Sequence, residues 1–381
     1  MVRQQHPATL DRVVAIVDVD GESIGIVLAR PVRGMPLAIL GEKRMRMPYS
    51  ERSSEHSMMR LAELLERASQ ELLTQLRTAS FVVDTAYVVL RMPWVSTRLA
   101  RRAVYTGKEV PVTRDFINNV AMSAISNDIV PTQENFLEGR VMRVELNGYA
   151  TNNPLGKRAS TVDLMLLASE SPARERDILR AAISRVFPVA TLQWRSGTRA
   201  MVHAMRSRTP EPKEYLFVDM GYESSIVGLV RDGVLAGHEV VPYGVRSLLG
   251  AESGEGSDIL SALRSHGANH HAPAVEKKIH AHIARTGEEA LSAFLPALST
   301  LSHDYRLPNQ VRALAPREVH AWLGHVLARP ECSTLTQNAQ SLQVIPINAS
   351  SFASALHSSD AVRDPSLAVA CALVHNECDN G

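Results

Sequence analysis

Phe217-Val218-Asp219-Met220-Gly221-Tyr222-Glu223-Ser224-Ser225-Ile226 reads as a hydrophobic strand that ends in an aspartate, turns through small and polar residues, and starts back as a second strand. Its surroundings continue the pattern. The first strand begins at Tyr215, the return runs from Ser225 to Val230, and Asp232-Gly233 marks the next tight turn. A third strand over His238 to Val241 stops at Pro242-Tyr243-Gly244. The same grammar occurs near the start of the chain. Val13-Val14-Ala15-Ile16-Val17-Asp18 is followed by the polar turn Asp20-Gly21-Glu22-Ser23 and a return strand from Ile24 to Leu28. Glycine and small side chains let backbone N–H groups approach phosphate oxygens. A strand-end aspartate can hold the waters of a Mg²⁺ ion, which keeps much of its hydration shell. Two such hairpins facing each other would hold a phosphate tail between two lobes. A strand-Asp-Gly-strand unit is also an ordinary hairpin, so the recurrence, each copy opening a lobe, is what carries the nucleotide reading.

The 381 residues carry 41 Lys+Arg against 40 Asp+Glu, a formal net charge of +1. That length exceeds the roughly 250–300 residues at which a single core stops growing, so at least two lobes are expected. With 45% hydrophobic and 21% charged residues, the composition is that of a soluble globular protein. The near-neutral balance argues against nucleic-acid binding by a basic surface. Met1 to Pro7 has no apolar core of a secretory signal. No run reaches the roughly 18 apolar residues of a spanning helix. Three cysteines (Cys332, Cys371, Cys378) with no CxxC pair point away from a disulfide framework or zinc site and toward a reducing cytoplasm.

Between the hairpins, Ser57 to Leu76 has the 3.6-residue apolar spacing of an amphipathic helix after a basic loop. Ala86 to Leu90 is a buried strand closed by Pro93. From Gly107 to Phe187 the pattern changes to a small α+β unit. It has a helix within Val110 to Ile129, strands over Val141–Leu146 and Thr161–Ala168, and a helix opened by Pro172 with Ile178, Ala182, Ile183 and Val186 on its apolar face. A polar linker, Arg206 to Pro212, precedes the second hairpin. The C-terminal part is read as mostly helical, with a His-rich interruption from His266 to His271 and short strands around Val319–Leu323 and Leu342–Ile347. The expected organisation is a first lobe over 1–106, an inserted subdomain over 107–187, a return and linker over 188–209, and a second lobe over 210–381.

On these residues the chain resembles the actin-like ATPase superfamily, in its FtsA/PilM branch. Phe217 to Ile226 looks like that family's second phosphate loop, and Leu229 to Leu235 with Val241-Pro242-Tyr243-Gly244 like the strands after it. Asp18-Val19-Asp20-Gly21-Glu22-Ser23-Ile24-Gly25 is similar to the first phosphate loop. Asn147-Gly148-Tyr149 through Pro154-Leu155-Gly156-Lys157 is similar to the FtsA-type insertion. The resemblance implies an α/β, two-lobed actin-like ATPase (ribonuclease H-like) fold with a small inserted α+β subdomain. It implies ATP with Mg²⁺, the ion's waters on Asp18 and Asp219. Gly21 and Ser23 on one side, and Gly221, Ser224 and Ser225 on the other, would contact phosphate, with Gly244 closing the site. A weak ATPase activity would go with it, and no residue stands out as a catalytic base. Two departures are visible. Asp20 puts a carboxylate where phosphate would lie, and the paired glycines of an adenosine motif are reduced to Gly324.

The functional expectation is an adaptor linking a membrane-associated complex, of division or type IV pilus machinery, to cytoplasmic partners. Its partner would be the cytoplasmic tail of a membrane protein or a cytoskeletal protein, with self-association open. The apolar Leu367 to Val374 segment lacks a basic face and reads as a buried helix, so the chain would sit at the membrane's inner face through partners rather than an anchor of its own. One alternative is a degenerate pseudo-ATPase acting only as an interaction module. Another is a sugar-kinase-like phosphotransferase, for which Asp163 and Asp177 are the intervening carboxylates. Arg98, Arg101, Arg102 and Lys108 form a basic cluster read as a solvated face. His266, His270, His271, His280 and His282 lack the spacing of a metal site. Ser224 and Ser225 lack the GxSxG elbow of a hydrolase.

Overall fold

The computed structural model describes residues 11–48, 52, 56–76, 81–125, 132–208, 210–250, 259, 263, 274–357 and 362–379. In chain order these form β1 (Asp11–Val19), β2 (Ser23–Val32), β3 (Met35–Arg46), α1 (Ser57–Gln75), β4 (Phe81–Leu90), β5 (Ser96–Pro111) and α2 (Arg114–Ala124). Then come β6 (Phe136–Leu146), β7 (Tyr149–Ala150), β8 (Arg158–Glu170), α3 (Ala173–Val186), β9 (Thr191–Ser196) and α4 (Gly197–Arg206). The second hairpin is β10 (Tyr215–Met220) and β11 (Ser225–Arg231), followed by β12 (Val234–Val241), α5 (Val245–Leu249), α6 (Ala274–Leu301) and β13 (Gln310–Leu314). Last are α7 (His320–Leu327), α8 (Pro330–Ser333), β14 (Gln343–Pro346) and α9 (Pro365–Asp379). The chain divides into two compact units, one of residues 1–90, 174–210 and 348–381, the other of residues 91–173 and 211–347.

The first unit is built on a five-stranded sheet of order β3-β2-β1-β4-β9. β1, β2 and β3 form an antiparallel meander, while β1, β4 and β9 run parallel. Every residue from Val13 to Val19 is buried, the mark of a strand covered on both faces. One cover is α1, whose Leu61, Leu65, Ala68 and Leu72 fall on one stripe. The other is α9, whose residues Leu367 to Val374 are all buried and which packs on α4, β1 and β2.

In the second unit, a five-stranded sheet of order β12-β11-β10-β13-β14 carries the second hairpin, with α6 packed on β11 and β12 and α7 on β14. The remaining sheet, β5-β8-β6-β7, is antiparallel. Its strands alternate, so one face is apolar. Val144, Leu146, Val162, Leu164 and Leu166 pack there against Ile117, Ala121 and Ala124 of α2. Thr113 caps α2 by accepting from the Phe116 N–H at 3.1 Å.

Several expectations need correction. The inserted sheet begins at Ser96 rather than 107, because β5 pairs with β8 from Ser96↔Glu170 to Pro111↔Arg158. Its following helix, α3, groups with the first unit. The span 210–381 is not one body, since α9 returns to the first unit, where its apolar surface finds cover. The basic loop before α1 is the strand β3, half-buried along most of its length. Val319–Leu323 is not a strand. Val319, Trp322, Leu323 and Val326 are buried at helical spacing, after Pro316, in a 3-10 turn leading into α7. The Leu342–Ile347 segment contains β14 as expected, and β13 beside it was not anticipated. His266, His270 and His271 lie outside the described residues.

Two expectations follow. Leu373, fully buried on α9, should cost about 2–5 kcal/mol on replacement by alanine, read from urea unfolding; a cost under about 0.5 kcal/mol would mean α9 is a surface helix. His238 Nε2 donates to the Thr97 carbonyl at 2.7 Å, joining β12 to β5. Burial holds this imidazole below its ordinary 6.5 despite the opposing pull of Thr97 and Glu239. As pH falls the unfolded chain therefore takes up this proton first. The contribution of the neutral ring is complete above about pH 6.5 and is lost as pH drops below it. The urea midpoint of His238→Gln should fall less than that of the parent chain between about pH 7 and about pH 5.

Candidate functional site

In the first hairpin, Asp18 is the next-to-last residue of β1 and is fully buried. Its register partner on β2 is Gly25, whose partner on β3 is Arg44. A Cβ on Gly25 would lie 3.0 Å from the Arg44 guanidinium, so the glycine is what lets Arg44 reach across β2 to Asp18. Arg44 Nη2 donates to Asp18 Oδ2 at 2.6 Å and Nη1 to Ser23 Oγ at 2.7 Å. Arg44 Nη1 also lies 3.4 Å from Asp20 Oδ2, and Nε 2.8 Å from Asp364 Oδ2. Asp364 in turn accepts from the Leu367 N–H at 2.9 Å, capping α9.

The turn itself is closed by Asp20. Its Oδ1 accepts from the backbone N–H groups of Glu22 at 2.8 Å and Ser23 at 2.6 Å, and its Oδ2 from Ser23 Oγ at 2.8 Å. These are the donors that a phosphate would need from this loop. Gly21 is buried at the tip. Burial, and next Asp20, raise the Glu22 carboxyl above its ordinary range, against the pull of Arg52. Burial alone would lower the Arg44 guanidinium, but Asp364, Asp18 and Asp20 together hold it above its ordinary value.

Within the second unit, Asp219 is the next-to-last residue of β10 and is buried. Arg91 Nη1 donates to Asp219 Oδ2 at 2.6 Å, with the arginine side chain 5% exposed. The turn is tight, Gly221 N–H donating to Ser224 O at 3.0 Å. Ser225 is fully buried and its hydroxyl donates to Tyr243 O at 2.6 Å. Gly244 packs against the turn backbone so closely that a Cβ there would come within 2.4 Å of Tyr222 O. The N–H groups that follow are used on the same turn: Val245 donates to Gly221 O at 3.0 Å and Arg246 to Tyr222 O at 2.8 Å. Ser224 is half-buried.

The donor sets do not fit a hydrated Mg²⁺ ion with a phosphate tail. Each strand-end carboxylate already neutralises a buried guanidinium. In the first loop the backbone donors are held by the chain's own Asp20, and in the second Ser225 is spent on a carbonyl. Bringing in the ion would strip a buried charge of its partner, a cost of several kcal/mol. Seven of the eight residues singled out in the sequence lie at or beside two hairpin turns, Asp18, Gly21 and Ser23 in the first unit and Asp219, Gly221, Ser224 and Ser225 in the second, and Gly244, which follows β12, packs against the second turn.

Arg44, Arg91 and Asp364 were missed. Gly25 in the interior of a buried strand was the available signal for the first, since a strand glycine often marks a close approach. Elsewhere, Asp163 pairs with Arg101 at 2.6 Å and Asp177 with Arg180 at 2.5 Å, the latter on an exposed helix face. His282 Nε2 donates to Leu248 O at 2.7 Å. Among the described residues no group of three His, Cys, Asp or Glu is placed to hold a metal ion.

No family model and no curated protein matches the chain. Among solved structures it is similar to one of a PilM–PilN type IV pilus biogenesis complex, with 16% identity over 96% of this chain and 98% of that one and a TM-score of 0.55. A Bacteroides thetaiotaomicron protein of unknown function with an actin-like ATPase fold matches at 9% identity, over 94% of this chain and 96% of that one, TM-score 0.43. The ethanolamine utilization protein EutJ from Carboxydothermus hydrogenoformans matches at 12%, over 95% and 89%, TM-score 0.44. The first likeness shows the fold: the chain has the PilM-like form of the actin-like ATPase fold.

Replacing Arg44 by methionine leaves the buried Asp18 carboxylate without its guanidinium and should cost about 3–5 kcal/mol in urea unfolding. Lys43→Met, which removes the solvent-facing Lys43–Glu71 pair, should leave the urea midpoint close to that of the parent chain. Equal costs for the two variants would show that Arg44 is not the cation on which the hairpin depends.

Proposed function

We propose that this chain, PilM-like in fold, is a scaffolding adaptor that works by holding protein partners and does so without nucleotide. The observation that carries the reading is the pair of internal arginine–carboxylate bonds, Arg44 to Asp18 and Arg91 to Asp219, with Asp20 seated on the backbone donors of its own turn. A fold that elsewhere serves ATP chemistry is here completed by its own charges, which leaves surface contacts as its working parts. The pseudo-ATPase alternative raised by the sequence is thereby favoured over a weak ATPase. A phosphotransferase gains no support, because Asp163 is held by Arg101 and Asp177 by Arg180.

For the partner, the reading follows the solved complex, in which PilM is bound to PilN in type IV pilus biogenesis. We place this chain, by analogy, at the inner face of a membrane beside a membrane-held protein. Among the described residues no helix is long and apolar enough to cross a membrane, so attachment through a partner is the form of the proposal.

Calorimetric titration of the full chain with Mg-ATP tests the nucleotide half. No saturable binding is expected up to millimolar ATP, for the parent chain and for Asp219→Ala alike. Micromolar binding that Asp219→Ala abolishes would overturn the nucleotide-free reading and restore a working phosphate site.

A further inference from the structure

A cavity of about 640 Å³ opens in the second unit, beneath the charged face of the β5-β8-β6 sheet and against the turn between β11 and β12. Its volume falls within the range of roughly 300–1,000 Å³ typical of ligand sites. One wall is a cross-strand arrangement. Arg101 and Arg143 flank Met165 in register, and Asp163 lies opposite Glu145. Arg101 pairs with Asp163 at 2.6 Å and Arg143 with Glu145 at 2.9 Å. The facing wall is the Asp232-Gly233 turn, from which Asp232 reaches Arg143 at 3.4 Å while remaining 75% exposed.

The rim is acidic and carries an aromatic. Arg231 stacks 4.4 Å from the Tyr305 ring centroid, with Glu214 at 3.5 Å from its Nε. Tyr305 is nevertheless 62% exposed, so a face of the ring is left for a visitor. Asp304 beside it is exposed and has no ion-pair partner among the described residues. The cavity thus holds five carboxylates to three guanidiniums, and two of its exposed carboxylates are Asp232 and Asp304.

We propose that this groove binds an extended basic segment of a partner protein. A lysine or arginine of that segment would pair with Asp232 or Asp304, and another would stack on Tyr305 as a cation–π contact. One extended basic peptide meets both requirements, since it presents several cations along one chain, whereas an acidic peptide would face the rim's excess negative charge. The inference deepens the scaffold reading, on which it rests for the class of partner.

Fluorescence-anisotropy titration of the full chain with a labelled, acetylated heptapeptide of alternating lysine and valine is the test. Its glutamate–valine counterpart serves as control. The basic peptide should bind about tenfold tighter at low salt, with the margin shrinking as salt is raised. Asp232→Asn/Asp304→Asn should weaken it by about fivefold or more. Asparagine suits the positive φ at 232, so the turn is kept. Tyr305→Ala should weaken it about two- to fivefold and Tyr305→Phe should restore it. Equal binding of the two peptides, or undiminished binding by the double variant, would overturn the proposal. Mg-ATP calorimetry on the same samples reports on the nucleotide-free reading separately, because neither Asp232 nor Asp304 belongs to the β1–β2 or the β10–β11 turn.

Discussion

A guanidinium buried among three carboxylates is the constraint on which the first unit turns. Arg44 gathers Asp18 from a central strand, Asp20 from a turn and Asp364 from the approach to the last helix. A buried cation cannot be left unpaired, and a buried carboxylate cannot be left without a cation. The meander can therefore take only the register that sets Asp18, Gly25 and Arg44 in one row. Replacing such a cluster with hydrophobic residues can be neutral or stabilising, so its effect is better seen as specifying one arrangement than as adding net stability. The second hairpin uses the same device, a buried arginine paired with the aspartate near the strand end.

Local patterns in the sequence carried much of the fold. Both hairpins were legible because a continuous apolar strand ending in aspartate, a glycine-containing turn and a returning apolar strand need no distant information. The helix of residues 57–75 was legible from its apolar stripe. The strands β3 and β5 escaped for one cause. β3 and β5 are rich in charge and only partly buried, so they lack the hydrophobic run by which strands are recognised. Val319 to Leu323 was too short an apolar run to separate strand from helix until Val326 completed the stripe. The arginines that meet Asp18 and Asp219 were hidden for a different reason. Arg44 and Asp18 are 26 residues apart and Arg91 and Asp219 are 128 apart, so each meeting is a product of register and packing that no window of sequence contains. Asp20 is the instructive middle case: its charge was seen to conflict with a phosphate, and the structure resolves the conflict by seating that carboxylate on the loop's own N–H groups.

The inserted sheet divides its labour between faces. Alternation sends Val162, Leu164 and Leu166 toward α2 and sends Asp163 and Met165 the other way, toward the β11–β12 turn. A sheet of this kind can change its outward residues with little effect on its core, because the two sets never share a face. The contact of Arg143 with Asp232 and of His238 with Thr97 ties this surface to the second hairpin's sheet, so the groove has walls from two sheets of one compact unit.

The return of the last helix to the first unit has a consequence for the order in which the chain can acquire structure during synthesis. Gly34 donates to Asp379 across 345 residues, and the sheet face over β1 and β2 is covered by α9. As the chain leaves the ribosome, the early strands emerge long before the helix that covers them, with one apolar face bare. Residues 91–173 and 211–347 are complete sooner, since all their internal partners precede the helix. Domains fold as units in the order of their completion, and bare apolar strands are where chains aggregate while they wait. The unit that begins first is thus the one that finishes last, and its dependence on a holding chaperone should exceed that of its neighbour.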